Sequence, residues 1–360
     1  MKKILIMAGG TGGHVFPGLA VAKELSKNDE FEVLWLGTKE RMESVIVPKN
    51  GFNIKFIKIQ GIRRNGILRK IFAPFKILRA VYEAIQVIRE FKPNVVLGMG
   101  GYASGPGGLA AKILGIPLVL HEQNAAPGLT NRLLAKIATK ILLGFPKAFA
   151  GSNVLYVGNP VRKEVADLNK LLPREFPVDK IRVLIVGGSL GAQILNEVVP
   201  KAISLCRNNG INIEVLHQTG KGNSIFVKKM YEDLSIVDGV IISDFIDDMA
   251  QAYCSSDIII CRAGASTVAE VSAVGIPAIF VPLPSAVDDH QTKNAQSLSD
   301  IGGAICLAQK DLSSEVLAKH ITELASDKSK LSQMSKIVGE VAKLTATQDA
   351  AAVCRELSGE

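Results

Sequence analysis

At 360 residues, 48% hydrophobic and 21% charged, the chain is too long for a single hydrophobic core and too apolar for a disordered segment, so two globular domains are expected. Its formal charge of +8 is unevenly divided: residues 1–160 hold 22 Lys/Arg against 9 Asp/Glu, and residues 161–360 hold 20 against 25. A basic half joined to a mildly acidic half implies an anionic partner, whether nucleic acid, a phosphate-bearing substrate or a membrane surface.

The opening Met-Lys-Lys followed by Ile-Leu-Ile-Met imitates a signal peptide, but its apolar run stops at glycines after a few residues. Short apolar runs then recur with helix-like segments between them: ILIM (4–7), VLWL (33–36), VVLGM (95–99), PLVLH (117–121) and ILLG (141–144). After a break at Gly158-Asn-Pro160 the rhythm restarts with VLIVGG (183–188), IEVLHQ (213–218), VIISDF (240–245), DIIIC (257–261), AIFVPL (278–283) and AICLA (304–308). Ile- and Val-rich runs of this length, alternating with helices, predict parallel strands buried on both faces. The fold class is therefore α/β, with two Rossmann-like, doubly wound parallel-sheet domains over 1–160 and 161–340. A linker is expected near 159–180, where Pro160, Pro173 and Pro177 sit among charges. The tail from about 334 reads as helix, apolar at Met334, Ile337, Val338, Val341 and Leu344, and residues 341–360 are expected to pack back on the first domain.

The five cysteines, at 206, 254, 261, 306 and 354, form no CxxC pair, which fits a reducing compartment and small buried hydrophobes. The longest charge-free stretch, Pro93 to Ala111, holds six glycines and two prolines, and Val271 to Val287 is broken by three prolines. Neither is expected to span a bilayer, so the chain reads as cytoplasmic.

Three glycine-rich turns follow strands: Gly9–Gly13, Gly100–Gly108 and Gly187–Gly191. The first fails both nucleotide fingerprints. From Gly10 it reads G-T-G-G-H-V, the second strand ends in Leu36-Gly37 without an acid, and no GK[ST] follows. The remaining readings are tight strand-to-helix turns or helix N-termini offering amides to anions. Two such loops in one half and one in the other fit two anionic groups held at the carboxyl ends of the strands. His14 ends the first loop and precedes every other histidine by more than a hundred residues. It is either a helix-start residue tied to a carbonyl or a general base, since imidazole ordinarily titrates near neutrality. No Asp-x-Asp run occurs, so a metal-chelated diphosphate is not indicated.

In the second half, Cys261-Arg-Ala-Gly-Ala-Ser-Thr-Val-Ala-Glu270 runs from strand into helix. Gly264 permits close backbone approach and Ser266 and Thr267 can cap. Glu270 either complements the helix dipole or holds two ribose hydroxyls. Past the next strand, Asp288-Asp-His-Gln-Thr-Lys-Asn-Ala295 is a polar turn into a helix with groups suited to sugar hydroxyls. Gly61–Arg79 carries six Lys/Arg and no acid, with Ile67, Leu68, Ile71, Phe72, Phe75 and Leu78 between them. It is a solvated face or a membrane-surface patch, and Pro74 forbids one uninterrupted helix through it. Nucleic acid is the weaker reading, since only 5% of residues are aromatic and no stacking motif occurs.

GGTGGH, HEQNAAPGLTN (121–131), GNPVR (158–162), GGSLGA (187–192), CRAGASTVAE (261–270) and DDHQTKNA (288–295), in this order over nearly the whole chain, resemble the MurG family of bacterial GlcNAc transferases. The resemblance implies a GT-B fold, two Rossmann-like domains facing a cleft, with an N-terminal acceptor-binding, membrane-associating domain and a C-terminal UDP-GlcNAc-binding domain. It implies donor diphosphate at Ser189, uracil near the Ile246 backbone, the ribose hydroxyls at Glu270, and Ala265, Ser266 and Thr267 among the donor contacts. Gln291 would hold the GlcNAc hydroxyls, and Thr11, Gly12, Gly13, Asn124 and Arg162 would complete the donor site. The acceptor, lipid I, would place its diphosphate against Gly10, Gly13, Gly101, Tyr102, Ser104 and Gly105. The implied reaction is an inverting transfer to the MurNAc 4-hydroxyl, giving lipid II with no metal or other cofactor, His14 acting as base and His290 and His121 as weaker rivals. The implied setting is the cytoplasmic face of the bacterial cell membrane, bound peripherally through Arg63, Arg64, Arg69, Lys70, Ile71, Phe72 and Phe75, among cell-wall synthesis proteins. The alternatives are a lipid glycosyltransferase acting on diacylglycerol or a sterol, and a non-catalytic nucleotide-sugar binding module.

Overall fold

Seven parallel strands make the first sheet: β1 (Lys2–Ala8), β2 (Phe31–Gly37), β3 (Asn53–Phe56), β4 (Val95–Gly100), β5 (Leu118–Glu122), β6 (Lys140–Leu143) and β7 (Val154–Tyr156), in the order β3-β2-β1-β4-β5-β6-β7. The computed structural model describes residues 1–59, 73–188 and 190–359, and the chain divides into two units, Met1–Arg162 with Lys343–Glu360 and Lys163–Ala342.

Strand alternation sends Ile4 and Ile6 to one face of the first sheet and Leu5 and Met7 to the other. On one side they meet Val15 and Leu19 of helix Gly12–Leu25 and Ala350 and Cys354 of the last helix. On the other they meet Ala84 and Ile88 of helix Ala73–Phe91 and Ala110 of helix Ser104–Ile113. Two covered faces explain why the central strands are apolar at every position. The edge strands β3 and β7 are mostly exposed, and no apolar run announces them. At the end of β1 the Trp35 indole donates to the Ala8 carbonyl at 2.8 Å, and Gly18 leaves room for its ring. The β1–β4 register shifts between Met7 and Ala8, where the first loop begins.

The second unit holds a six-stranded parallel sheet: β8 (Ile181–Val186), β9 (Ile213–Gln218), β10 (Val240–Ser243), β11 (Ile258–Cys261), β12 (Ala278–Phe280) and β13 (Ala304–Cys306), in the order β10-β9-β8-β11-β12-β13. In both sheets the order reverses beside the first strand, and in doubly wound sheets it is outside the carboxyl ends of the strands at such a switch that ligands bind.

One expectation is corrected. The tail is two helices: Lys328–Glu340, capped by Asp327 accepting from the Lys330 amide at 2.9 Å, and Ala346–Leu357, whose Arg355 pairs with Glu30 at 2.8 Å. The break falls where the chain leaves one unit for the other, and Val341 and Leu344 are exposed rather than part of a buried stripe. Helix Ala73–Phe91 carries Pro74 at its described start, and residues 60–72 of the basic segment lie outside the described residues. The five cysteines are unpaired, with Cys206, Cys261 and Cys354 buried.

Candidate functional site

The first and second glycine loops touch. Gly101, at φ +90°, lies so close to Gly9 that a Cβ there would meet the Gly9 carbonyl. Gly100, at φ +101°, faces His14, and a Cβ on it would fall 2.9 Å from Nε2. His14 sits in the first turn of its helix with Nδ1 3.1 Å from the Gly9 carbonyl and 3.4 Å from Thr11 Oγ1. A carbonyl only accepts, so that contact needs the proton on Nδ1 and leaves the neutral ring's lone pair on Nε2. The carbonyl tie and the base reading are thus compatible, because the tie selects the tautomer a base requires.

Behind these loops lies Glu43, a carboxylate that sequence reasoning missed. It is fully buried; Oε1 accepts from the Thr38 amide at 3.0 Å and hydroxyl at 2.7 Å, and Oε2 accepts from the Gly10 amide at 3.0 Å. The expectation that Gly10 offers its amide to a diphosphate is therefore corrected: that amide is engaged inward. Thr11, Gly12 and Gly13 open the helix Gly12–Leu25; the His14 and Val15 amides donate to the Thr11 carbonyl at 3.1 and 3.2 Å, and the Gly12 and Gly13 amides precede these first bonds. Ser104 is buried, and its hydroxyl lies 2.8 Å from the Gly100 carbonyl and 3.0 Å from that of Met7, so an anion in this turn would meet its amide and not its Oγ. Gly105 follows in the same turn, and Tyr102 stands exposed beside it.

A second buried carboxylate, Glu122 at the end of β5, shapes the loop after it. It accepts from the Asn124 amide (3.0 Å) and side chain (3.2 Å), the Gly128 amide (3.1 Å) and Asn131 Nδ2 (2.9 Å). Asn124 is thereby held at the carboxyl end of the sheet. His121 is fully buried, with Nε2 donating to the Gly158 carbonyl at 2.9 Å and Nδ1 accepting from Gln123 at 3.2 Å. Burial pushes its pKa down to about 4. With both nitrogens engaged in the interior, His121 orients its loop and is dropped as a candidate base. Arg162 ends the first unit.

In the second unit the turn after β8 is closed by Gly191 donating to the Gly188 carbonyl at 2.9 Å. Gln218 braces it from beneath, accepting from the Gly188 amide at 3.2 Å and donating to its carbonyl at 3.0 Å. Helix Gln193–Asn208 starts directly after. Ser189 lies outside the described residues, as do Arg63, Arg64, Arg69, Lys70, Ile71 and Phe72. Ile246 is partly exposed in the segment after β10.

Helix Ala265–Val274 is capped by the Gly264 backbone, so Ser266 and Thr267 occupy its first turn instead of capping it. Ser266 Oγ is shielded from solvent without a hydrogen-bond partner. Glu270, on the same helix, accepts from the buried Tyr253 hydroxyl at 3.0 Å through Oε2. Tyr253, also missed in the sequence, aims that carboxylate. Gln291 opens helix His290–Ser299 beside His290. Its Oε1 accepts from the Leu283 amide at 3.0 Å. Asn294 donates to the Ala263 carbonyl at 3.2 Å, joining this helix to the β11 loop. Among the described residues, no group of three or more His, Cys, Asp or Glu could hold a metal ion, and no helix is long and apolar enough to cross a membrane.

Two family models match the chain: the N-terminal domain of glycosyltransferase family 28 over residues 4–143 and its C-terminal domain over 182–352. A relative from Shewanella loihica is 54% identical over all of this chain and 98% of its own length, and one from Tolumonas auensis is 52% identical over 99% of both. Both carry the name UDP-N-acetylglucosamine–N-acetylmuramyl-(pentapeptide) pyrophosphoryl-undecaprenol N-acetylglucosamine transferase. The crystal structure of MurG from Acinetobacter baumannii superposes with a TM-score of 0.84 at 40% identity, covering 99% of this chain and all of that one. A Staphylococcus aureus MnaA–UDP structure, 15% identical with a TM-score of 0.67, shares the fold alone.

Proposed function

The chain belongs to glycosyltransferase family 28 and, within it, to the family of the undecaprenol-linked N-acetylglucosamine transferases, and from that premise we propose that it transfers GlcNAc from UDP-GlcNAc to the MurNAc 4-hydroxyl of lipid I, giving lipid II for peptidoglycan synthesis. The observation that carries the reading is the first-loop histidine, its Nδ1 on the Gly9 carbonyl and its Nε2 edge against Gly100.

In this reading the acceptor hydroxyl attacks C1 of GlcNAc and gives its proton to His14 Nε2. The C1–O bond to UDP breaks with its electron pair leaving on the diphosphate, and the α linkage becomes β. The departing charge is assigned to the Gly187–Gly191 turn and the N-terminus of helix Gln193–Asn208, with Ser189, outside the described residues, as a further donor contact. No Asp-x-Asp run is present in the sequence, which supports neutralisation by amides without a metal or other cofactor. The donor's uracil meets the backbone near Ile246. Glu270 takes the ribose hydroxyls, with Ala265, Ser266 and Thr267 alongside, and Gln291 Nε2 reaches the GlcNAc hydroxyls. Thr11, Gly12, Gly13, Asn124 and Arg162 complete the donor contacts. Amides of Gly13, Gly101, Ser104 and Gly105, with Tyr102, receive the acceptor diphosphate. The deciding assay is UDP release from UDP-GlcNAc, with turnover expected for a soluble lipid I analogue and not for diacylglycerol. Donor binding without turnover on any acceptor would leave a binding module instead.

The ribose reading makes its own prediction. Glu270→Gln keeps the shape but removes the charge and one acceptor, so the UDP-GlcNAc KM should rise about tenfold or more, as for loss of a charged hydrogen bond, while the acceptor KM stays within about twofold. Initial rates at varied donor concentration test this; an unchanged donor KM would return Glu270 to a helix-dipole role.

In the same reading the enzyme works at the cytoplasmic membrane face, bound peripherally to anionic lipid by its first unit, alongside other cell-wall synthesis proteins. Helix Ala73–Phe91 supports this, with Phe75, Leu78 and Tyr82 exposed by 61–70% in a row next to Lys76 and Arg79. Replacing all three with Ser should lower the fraction sedimenting with anionic vesicles at least tenfold, since burying each apolar side chain contributes roughly 1.5–3 kcal/mol. Turnover of a short-chain acceptor in detergent-free solution should persist, and unaltered vesicle binding would move the membrane contact elsewhere.

A further inference from the structure

The segment that joins β2 to helix Glu43–Lys49 comes over the two glycine loops of the first unit. Glu43 pins its end to Gly10 and Thr38, and the Met42 methyl would lie 3.8 Å from a Cβ at Gly12. Held between these anchors, Arg41 extends its guanidinium over the ring of Tyr102, 5.7 Å from the ring centroid. Tyr102 directly follows Gly101, the residue packed on the Gly9 carbonyl. Both Arg41 and Tyr102 are exposed.

We propose that Arg41, stacked on Tyr102, is an acceptor-binding residue that pairs with the acceptor's diphosphate and makes the site select anionic acceptors. The inference rests on the reading of these two loops as the acceptor's diphosphate site, and it answers a difficulty in that reading. The loops offer backbone amides, but the Gly10 amide turns inward and the Glu43 carboxylate lies directly behind it. A diphosphate there meets partial positive charge in front and a carboxylate behind, so a full positive charge on the open side is needed to favour it. A guanidinium suits this position: its fork bonds two phosphate oxygens while its face stays on the ring. The cation–π contact also restrains a side chain that would otherwise lose freedom on binding.

The test uses the full chain, a soluble lipid I analogue and a second analogue whose diphosphate is replaced by a neutral linker of equal length. Arg41→Ala is expected to raise the KM for the diphosphate analogue about tenfold, the effect of losing one charge-assisted contact. It should leave the UDP-GlcNAc KM within about twofold and flatten the salt dependence of the acceptor KM. With the neutral analogue the wild type and Arg41→Ala should be indistinguishable, and Arg41→Lys should fall between them on the diphosphate analogue. Because Arg41 is exposed, thermal melting of these variants should match the wild type. An unchanged acceptor KM in Arg41→Ala, or an equal penalty with the neutral analogue, overturns the inference while leaving the transferase reading intact. A wild type that turns over neither analogue overturns the transferase reading and this inference with it.

Discussion

His14→Ala is expected to lower kcat by roughly 10²–10⁴-fold, the usual contribution of a positioned general base, with the UDP-GlcNAc KM changed by less than about twofold. The MurNAc hydroxyl is a poor nucleophile until its proton has somewhere to go. The Gly9 carbonyl holds the imidazole by Nδ1, which leaves Nε2 to accept that proton. Alanine removes the acceptor and nothing in the donor machinery of the second unit, so kcat and the acceptor kcat/KM should fall together. His14→Asn separates positioning from chemistry: its carboxamide is able to donate to the same carbonyl but cannot take a proton at neutral pH, so it should be as inactive as alanine. The acidic limb of kcat/KM against pH reports the free enzyme's essential base and should be missing from the residual rate of either variant. Full activity in His14→Ala would remove it as the base and return attention to His290, at the start of its helix.

How much of this was readable in the amino-acid order depends on where each interaction partner lies. The central strands were legible because both faces of each sheet are covered, which makes ILIM, VLWL and VLIV continuous apolar runs. The edge strands NIKF and VLY face solvent and carry no such signature. The glycine loops were visible as composition, and their spatial reason is now specific: Gly101 has no room for a Cβ because Gly9 is there. Two carboxylates, by contrast, are not singled out by the sequence. Glu43 acts on an amide 33 residues earlier in the chain, and Glu122 gathers four donors from its own loop and the following helix. A charged residue that is buried because backbone N–H groups surround it leaves no periodicity and no local motif. The inward partners of the Gly10 amide and the Ser104 hydroxyl are equally silent in the sequence, since a donor's inward partner is a fact of tertiary structure. Tyr253 escaped notice too, its hydroxyl reaching Glu270 across 17 residues.

Glu43 therefore supports the second large expectation. Glu43→Ala leaves the Thr38 amide and hydroxyl without their acceptor in the interior, and the half-buried Gly10 amide without its own. Each orphaned buried donor costs about 1–3 kcal/mol, so a loss of roughly 3 kcal/mol or more is expected. At about 2–4 °C per kcal/mol for a domain of this size, that is a Tm lower by roughly 10 °C. Loss of activity in that variant alone would be ambiguous between unfolding and a displaced loop. Glu43→Gln resolves it, because a carboxamide has one accepting oxygen where the carboxylate has two. The Thr38 side offers two donors and the Gly10 side one, so the carboxamide oxygen should settle on Thr38 and its NH₂ should face the Gly10 amide, donor against donor. Most of the fold's stability then survives while the first glycine loop loses its inward tether. Because His14 hangs from Gly9 in that loop, Glu43→Gln should melt within a few degrees of the wild type yet lose ten- to a hundredfold in kcat, with the donor KM nearly constant. Wild-type turnover in Glu43→Gln would show that the carboxylate holds the fold without positioning the base.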